Sequence, residues 1–188
     1  MAETQDLLAS IEGPGVTVEL QPRFHAASLR YFELDGAFAG IVRRVTGLNL
    51  PTSLGATHGT GAGEQSVTLL AWRSPSETTL LTTNAELLDA LQTAAAALSD
   101  GCVVDQRGGL LVLRARGEAV PNLVAKQAGH GAMPAIGESR RTRFANVALL
   151  LVKVRAEETL FIVDRIYAPH AMAAIRVSAA DIDAPLFD

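Results

Sequence analysis

Hydrophobic periodicity along this 188-residue chain switches between two kinds in a set order, and that order recurs about 80 residues later. Period-two runs mark half-buried strands and runs of period about 3.6 mark amphipathic helices, so the alternation constrains the fold more than any single motif does. Val16 to Leu20 and Ala26 to Leu34 read as strands. A short helix follows, capped by Asp35, with Phe38, Ile41, Val42 and Val45 on one face and Gly47 as its stop. After Pro51, the segment Thr52 to Gln65 is rich in Gly, Ser and Thr and reads as an exposed, mobile loop. Strands at Ser66 to Arg73 and Thr78 to Thr83 lead into the strongest helical pattern of the sequence. There Thr83 and Glu86 form a capping box, Leu87, Leu88, Leu91, Ala94, Ala95 and Leu98 make the apolar stripe, and Asp100-Gly101 ends it.

The second half follows the same order. Strands are predicted at Cys102 to Gln106 and Leu110 to Ala115, then a helix carrying Val120, Leu123 and Val124, a Gly-rich loop, and a strand pair at Phe144 to Val154 and Thr159 to Ile166. A last helix runs from about Pro169 to Val177, with Pro in the first turn, where its missing amide hydrogen does no harm. Glu77, Thr79 and Leu80 match Glu157, Thr159 and Leu160 at an offset of 80; Gly36 matches Gly117 at 81, and Pro51 matches Pro134 at 83. The reading is an α+β fold of two similar lobes from a diverged duplication. Each lobe is strand-strand-helix-strand-strand-helix, with an antiparallel sheet and helices on one face. Residues 1–15 form an N-terminal tail, 16–100 the first lobe and 101–188 the second. Neither lobe can bury much alone, so a shared core and one compact unit are expected.

Composition narrows the function. With 48% hydrophobic and 19% charged residues, the chain can bury a core and is not a disordered tail. Its longest apolar run, Val147 to Val152, is far short of the roughly 18 residues that cross a bilayer. The N-terminus lacks a basic n-region and an apolar h-region, so neither a membrane span nor an export signal is expected, and the cytoplasm is the expected compartment. A single cysteine, Cys102, excludes an internal disulfide. A net charge of −4 argues against nucleic acid as a partner.

No residue pattern marks a self-sufficient catalyst, cofactor pocket or metal site. Gly59-Thr60-Gly61-Ala62-Gly63 lacks the strand before and the helix after it that a dinucleotide site needs, and Glu64 follows with the wrong charge, so it reads as a connector. His25, His58, His130 and His170 never fall at the spacing of a helical metal pair. Cys102 opens a predicted strand and reads as core. Asp105 stands before the turn Gln106-Arg107-Gly108-Gly109, where it could accept hydrogen bonds from a ligand amine or cap the turn. Arg140, Arg141 and Arg143 precede the most apolar strand. They could clamp a carboxylate, dock on an acidic partner surface or protect a sheet edge by charge, and alternation places Arg141 and Arg143 on one face. Trp72, before the turn Arg73-Ser74-Pro75-Ser76, reads as a core residue or an interface anchor.

Several segments together resemble a known family. Thr46-Gly47-Leu48-Asn49-Leu50-Pro51, a Gly-rich spacer, Leu70-Ala71-Trp72-Arg73-Ser74-Pro75-Ser76-Glu77 leading into Leu80-Leu81, then Val103-Val104-Asp105-Gln106 and Leu111-Val112-Leu113-Arg114 are similar to the gamma subunit of heterotetrameric sarcosine oxidase. Thr142-Arg143-Phe144-Ala145-Asn146-Val147 and Phe161-Ile162-Val163-Asp164-Arg165-Ile166-Tyr167-Ala168 extend the resemblance to residues 16–178. The turn Arg73-Ser74-Pro75-Ser76-Glu77-Thr78 keeps only the Pro and Glu of the family's usual turn. The resemblance implies a fold related to the folate-binding aminomethyltransferase domain. It also implies a scaffold role beside larger alpha and beta subunits that hold FAD, FMN, NAD and tetrahydrofolate. In that family sarcosine is oxidised to glycine, its methyl carbon passes as an imine toward tetrahydrofolate, and hydrogen peroxide forms from oxygen. Two other readings stay open: a stand-alone folate-binding or aminomethyltransferase-like module with Asp105 or Glu77 on the pterin, and an assembly factor for such an enzyme.

Overall fold

The computed structural model describes residues 10–60 and 67–182. In chain order the strands are β1 (Ile11–Gly13), β2 (Val16–Leu20), β3 (His25–Tyr31), β4 (Ala56–Thr60), β5 (Val67–Ser74), β6 (Glu77–Thr82), β7 (Gly101–Asp105), β8 (Leu110–Arg116), β9 (Ser139–Phe144), β10 (Val147–Arg155) and β11 (Glu158–Asp164). The helices are α1 (Ala37–Thr46), α2 (Ala85–Ala95), α3 (Val120–Ala128) and α4 (Ala168–Ala180). The strands form two antiparallel sheets, in the orders β1-β2-β8-β11-β10-β9 and β4-β5-β6-β3-β7. The fold is α+β with two sheets and four helices among the described residues.

The chain divides into two units whose boundaries differ from the expected 16–100 and 101–188. One takes the described residues up to Pro22, Leu110–Ile136 and those from Arg140 onward; the other takes Arg23–Gly109 and Gly137–Ser139. Pairing is the reason. β2 bonds to β8 in the six-stranded sheet, whereas β7 bonds to β3 in the five-stranded one. The expected N-terminal tail 1–15 also holds β1, which pairs with β2 at Ile11↔Val18; residues 1–9 lie outside the described residues.

In the unit built on the five-stranded sheet, Ala27, Leu29 and Tyr31 of β3 point to the same side as Leu70 and Leu80. They bury against Phe38 and Val42 of α1 and Leu88 and Leu91 of α2. Removing each of the Leu, Val and Phe side chains from water contributes roughly 1.5–3 kcal/mol, which is why the two helices hold to this face. Asp35 does not cap α1. The N-cap is Gly36, which has no side chain to offer, and the Phe38 amide instead donates to Asp100 Oδ2 at 2.9 Å. A Cβ at Gly36 would stand 2.7 Å from that oxygen, so glycine is what lets the carboxylate approach. Gly47 stops the helix at φ 75, in the left-handed region, as its position in the sequence predicts. The expected capping box at Thr83 and Glu86 is also displaced. Asn84 is the N-cap of α2 and accepts from the amides of Glu86 and Leu87, while Thr83 Oγ1 accepts from the Val67 amide. Part of the expected loop Thr52 to Gln65 is β4, paired with β5 from Ala56↔Ala71 to Thr60↔Val67; residues 61–66 lie outside the described residues.

In the other unit, Val16, Val18, Leu113, Leu149, Leu151 and Phe161 bury against Leu123 and Val124 of α3 and Met172 and Ile175 of α4. Phe144 and Phe161 meet edge to face, with centroids 5.7 Å apart. The single strand expected over Phe144 to Val154 is two strands. Ala145 and Asn146 take φ 48 and 68, the left-handed pair that closes a two-residue hairpin between β9 and β10.

Candidate functional site

A cleft of about 560 Å³ opens at the start of β7 in the unit built on the five-stranded sheet. Three strands set its chemistry. Arg30 on β3 lies directly across from Glu77 on β6 and from Cys102 on β7, so a carboxylate, a guanidinium and a thiol form one cross-strand row. Phe32, just past the end of β3, and Leu98, just past α2, add apolar surface to the walls. Phe32 is 81% exposed, because the strand predicted to run to Leu34 ends at Tyr31. Tyr31 itself is buried, and its hydroxyl shares a 2.9 Å hydrogen bond with Thr78 Oγ1. Burial raises its pKa above the usual phenol value, and the nearby Glu77 charge adds to the rise, while the Thr78 bond opposes it.

Of the residues singled out from sequence, Glu77 and Cys102 line the cleft, and the others lie elsewhere. Glu77 Oε1 stands 3.8 Å from Arg73 Nη1, an ion pair across the hairpin bulge between Trp72 and Ser74. Trp72 is half-buried; its amide donates to the Gly55 carbonyl, and its carbonyl accepts from Ser139 Oγ at 2.7 Å. Asp105 is exposed and caps its turn. Oδ1 accepts from the Arg107 amide at 2.7 Å and Oδ2 from Arg107 Nε at 2.8 Å, and Arg107 reaches on to Asp89 at 2.9 Å. The Arg107 side-chain hydrogen bond holds the Asp105 carboxyl below the ordinary carboxylate range. Both carboxylate oxygens are thus already engaged.

Arg141 and Arg143 are exposed on β9, the last strand of the six-stranded sheet, with the half-buried Thr142 between them. Arg140 is half-buried and donates to the Gly131 carbonyl at 2.6 Å. Cys102 is exposed rather than part of the core, because its strand is the outermost of its sheet. Among the described residues, no group of three or more His, Cys, Asp or Glu side chains is placed to hold a metal ion, and no helix is long and apolar enough to cross a membrane. Sequence reasoning missed Arg30 and Phe32. Neither belongs to a motif, and they meet Cys102 only through pairing of strands some 70 residues apart.

Solved structures place this architecture. A chain of heterotetrameric sarcosine oxidase from Corynebacterium sp. U-96, in complex with pyrrole 2-carboxylate, superposes with a TM-score of 0.79 at 22% identity, over 97% of this chain and 93% of that one. The fold is that of a sarcosine oxidase chain. The sarcosine-oxidase-type fold extends to glycine cleavage system aminomethyltransferase T from Bartonella henselae, with a TM-score of 0.65 and 10% identity over 93% of this chain but 47% of that one. No family model matches the chain, and no curated protein matches it. The relation to an aminomethyltransferase fold that the sequence resemblance implies is therefore present in three dimensions.

Proposed function

We propose that the chain is a non-catalytic gamma subunit of a heterotetrameric, sarcosine oxidase-like flavoenzyme. In this reading larger alpha and beta subunits hold FAD, FMN, NAD and tetrahydrofolate. The complex demethylates sarcosine to glycine, passes the one-carbon unit toward tetrahydrofolate and reduces oxygen to hydrogen peroxide. One observation carries the reading: the fold matches a chain of such a complex nearly end to end, at 97% and 93% coverage, whereas it matches about half of the aminomethyltransferase. Arg141 and Arg143, exposed side by side, would dock on an acidic surface of a larger subunit.

The test is to express the chain with its larger flavin-binding partners and purify through a tag on this chain. A stoichiometric complex is the expected result, and recovery of this chain alone would count against the proposal. The likeness to aminomethyltransferase T favours a second reading, a folate-binding module acting on its own. Calorimetry with tetrahydrofolate separates the two. Micromolar binding to the isolated chain, lost in Asp105→Ala, would favour the module. The engagement of both Asp105 oxygens by Arg107 supports the subunit.

A further inference from the structure

Among the described residues four strands lie at sheet edges, and three of them are protected at least in part. An open edge offers a row of unpaired amides and carbonyls to any extended chain, so folded proteins shorten it, charge it or cover it. β1 has three residues, and Gly13 within it packs against Ala179 of α4. β9 carries the exposed Arg141 and Arg143. The start of β4 is covered by residues 137–139: the Ala56 amide donates to the Gly137 carbonyl at 2.8 Å, the Ser139 amide donates to the Leu54 carbonyl at 2.7 Å, and Gly55 bridges Glu138.

β7 is neither as short as β1 nor covered, and its one charge, Asp105, sits at its end and is engaged by Arg107. Its five residues, Gly-Cys-Val-Val-Asp, contain no Lys, Arg or Pro and pair with β3 without a bulge. Antiparallel pairing fixes which backbone groups face outward. The Phe32 amide donates to the Asp100 carbonyl and the Gln106 amide to the Ala26 carbonyl, so even-numbered residues face β3. Gly101, Val103 and Asp105 therefore turn their amides and carbonyls away from the sheet. Beyond Gly101 lies the cleft, with Phe32 exposed and Leu98 on its wall.

We infer that β7 is a docking edge on which an extended segment of a larger partner chain adds a sixth strand. The inference rests on the subunit reading above and names the surface that reading leaves unspecified. The added strand bonds to the outward groups of Gly101 and Val103 and seats an apolar side chain in the cleft, against Phe32 and Leu98. Charge sets the neighbouring residue. Glu77 already pairs with Arg73, while Arg30 beside it is exposed, so an acidic side chain on the segment meets Arg30. A second copy of this chain fits less well. In two-fold register about Val103, residue 105 of one copy faces 101 of the other. Arg107 then falls opposite Ser99, which brings a second cation to the Arg30 cleft.

Hydrogen exchange on the full chain, alone and bound to the larger flavin-binding chains, reads the edge directly. The Gly101 and Val103 amides should exchange at least tenfold more slowly in the complex. Two variants accompany it. Val103→Pro removes an amide that no strand uses, as edge strands tolerate, and Phe32→Asp changes a side chain already in solvent. Each should weaken association at least tenfold while leaving the melting temperature of the isolated chain within a few degrees. If Val103→Pro fails to fold, Phe32→Asp carries the test. A complex that forms with unprotected β7 amides and ignores Phe32→Asp overturns the docking edge and leaves the subunit reading intact. Absence of any complex overturns the subunit reading and the docking edge with it. Protection that grows with concentration in the isolated chain makes a second copy the occupant and also overturns the inference.

Discussion

Asp100 is placed to set the start of α1 from 62 residues away, and its removal separates the observed cap from the one that local sequence suggests. Gly36 supplies no capping side chain, so the carboxylate oxygen 2.9 Å from the Phe38 amide serves that end of the helix. A hydrogen bond to a charged acceptor is worth about 1.5–3 kcal/mol. Because Asp100 is only half-buried, Asp100→Ala should cost about 2 kcal/mol. Asp100→Asn keeps an acceptor and loses mainly the interaction of the charge with the helix N-terminus, about 0.3–1 kcal/mol. Asp35 is exposed and caps nothing, so Asp35→Ala should fall within about 0.5 kcal/mol of the parent. Urea unfolding followed by circular dichroism gives all three values. In a chain of this length, 2 kcal/mol corresponds to a fall in melting temperature of roughly 4–8 °C. Equal losses from Asp35→Ala and Asp100→Ala, or less than about 0.5 kcal/mol from Asp100→Ala, would refute the long-range cap.

The same logic applies to α2: Asn84→Ala should cost about 1 kcal/mol in urea unfolding, through loss of the acceptor for Glu86 and Leu87. The Asp105 pKa is lowered in the folded state, so its contribution is present above the unfolded value near 3.9 and is lost as pH falls through the folded value. Asp105→Asn should therefore be less stable than the parent at pH 7, and thermal melts should bring the two together as the pH drops below about 4. Arg141→Ala with Arg143→Ala should slow association with the proposed larger subunits, most strongly at low salt, in stopped-flow measurements at graded ionic strength. An unchanged rate at every salt concentration would remove these arginines from the interface.

Elements governed by local periodicity were legible in the sequence. The stripe of α2, the Gly47 stop and the hairpin of β5 and β6 follow from residues within a few positions of each other. What escaped depends on distant partners. β10 and β11 bury alternate residues on both faces, Leu149 and Leu151 as well as Leu150 and Val152, so no period-two signal marks where the strand begins. The arginines of β9 hid a strand, because edge strands carry charge where buried ones carry Val and Ile. Exchange of β2 and β7 between the halves cannot be read from either half alone, since register is set by the strand each one meets. The cleft was illegible for the same reason. Glu77 was singled out from its turn, but Arg30 and Phe32 gain their place only when β3 lies between β6 and β7.

Mass and composition of the species that purifies with this chain test the proposed subunit role most directly. Size-exclusion chromatography with light scattering, on material co-expressed with the larger flavin-binding chains, should give one peak. That peak should contain every subunit in equal number and carry flavin absorbance. A chain that elutes alone, or that oxidises a secondary amine without any companion, would contradict the account.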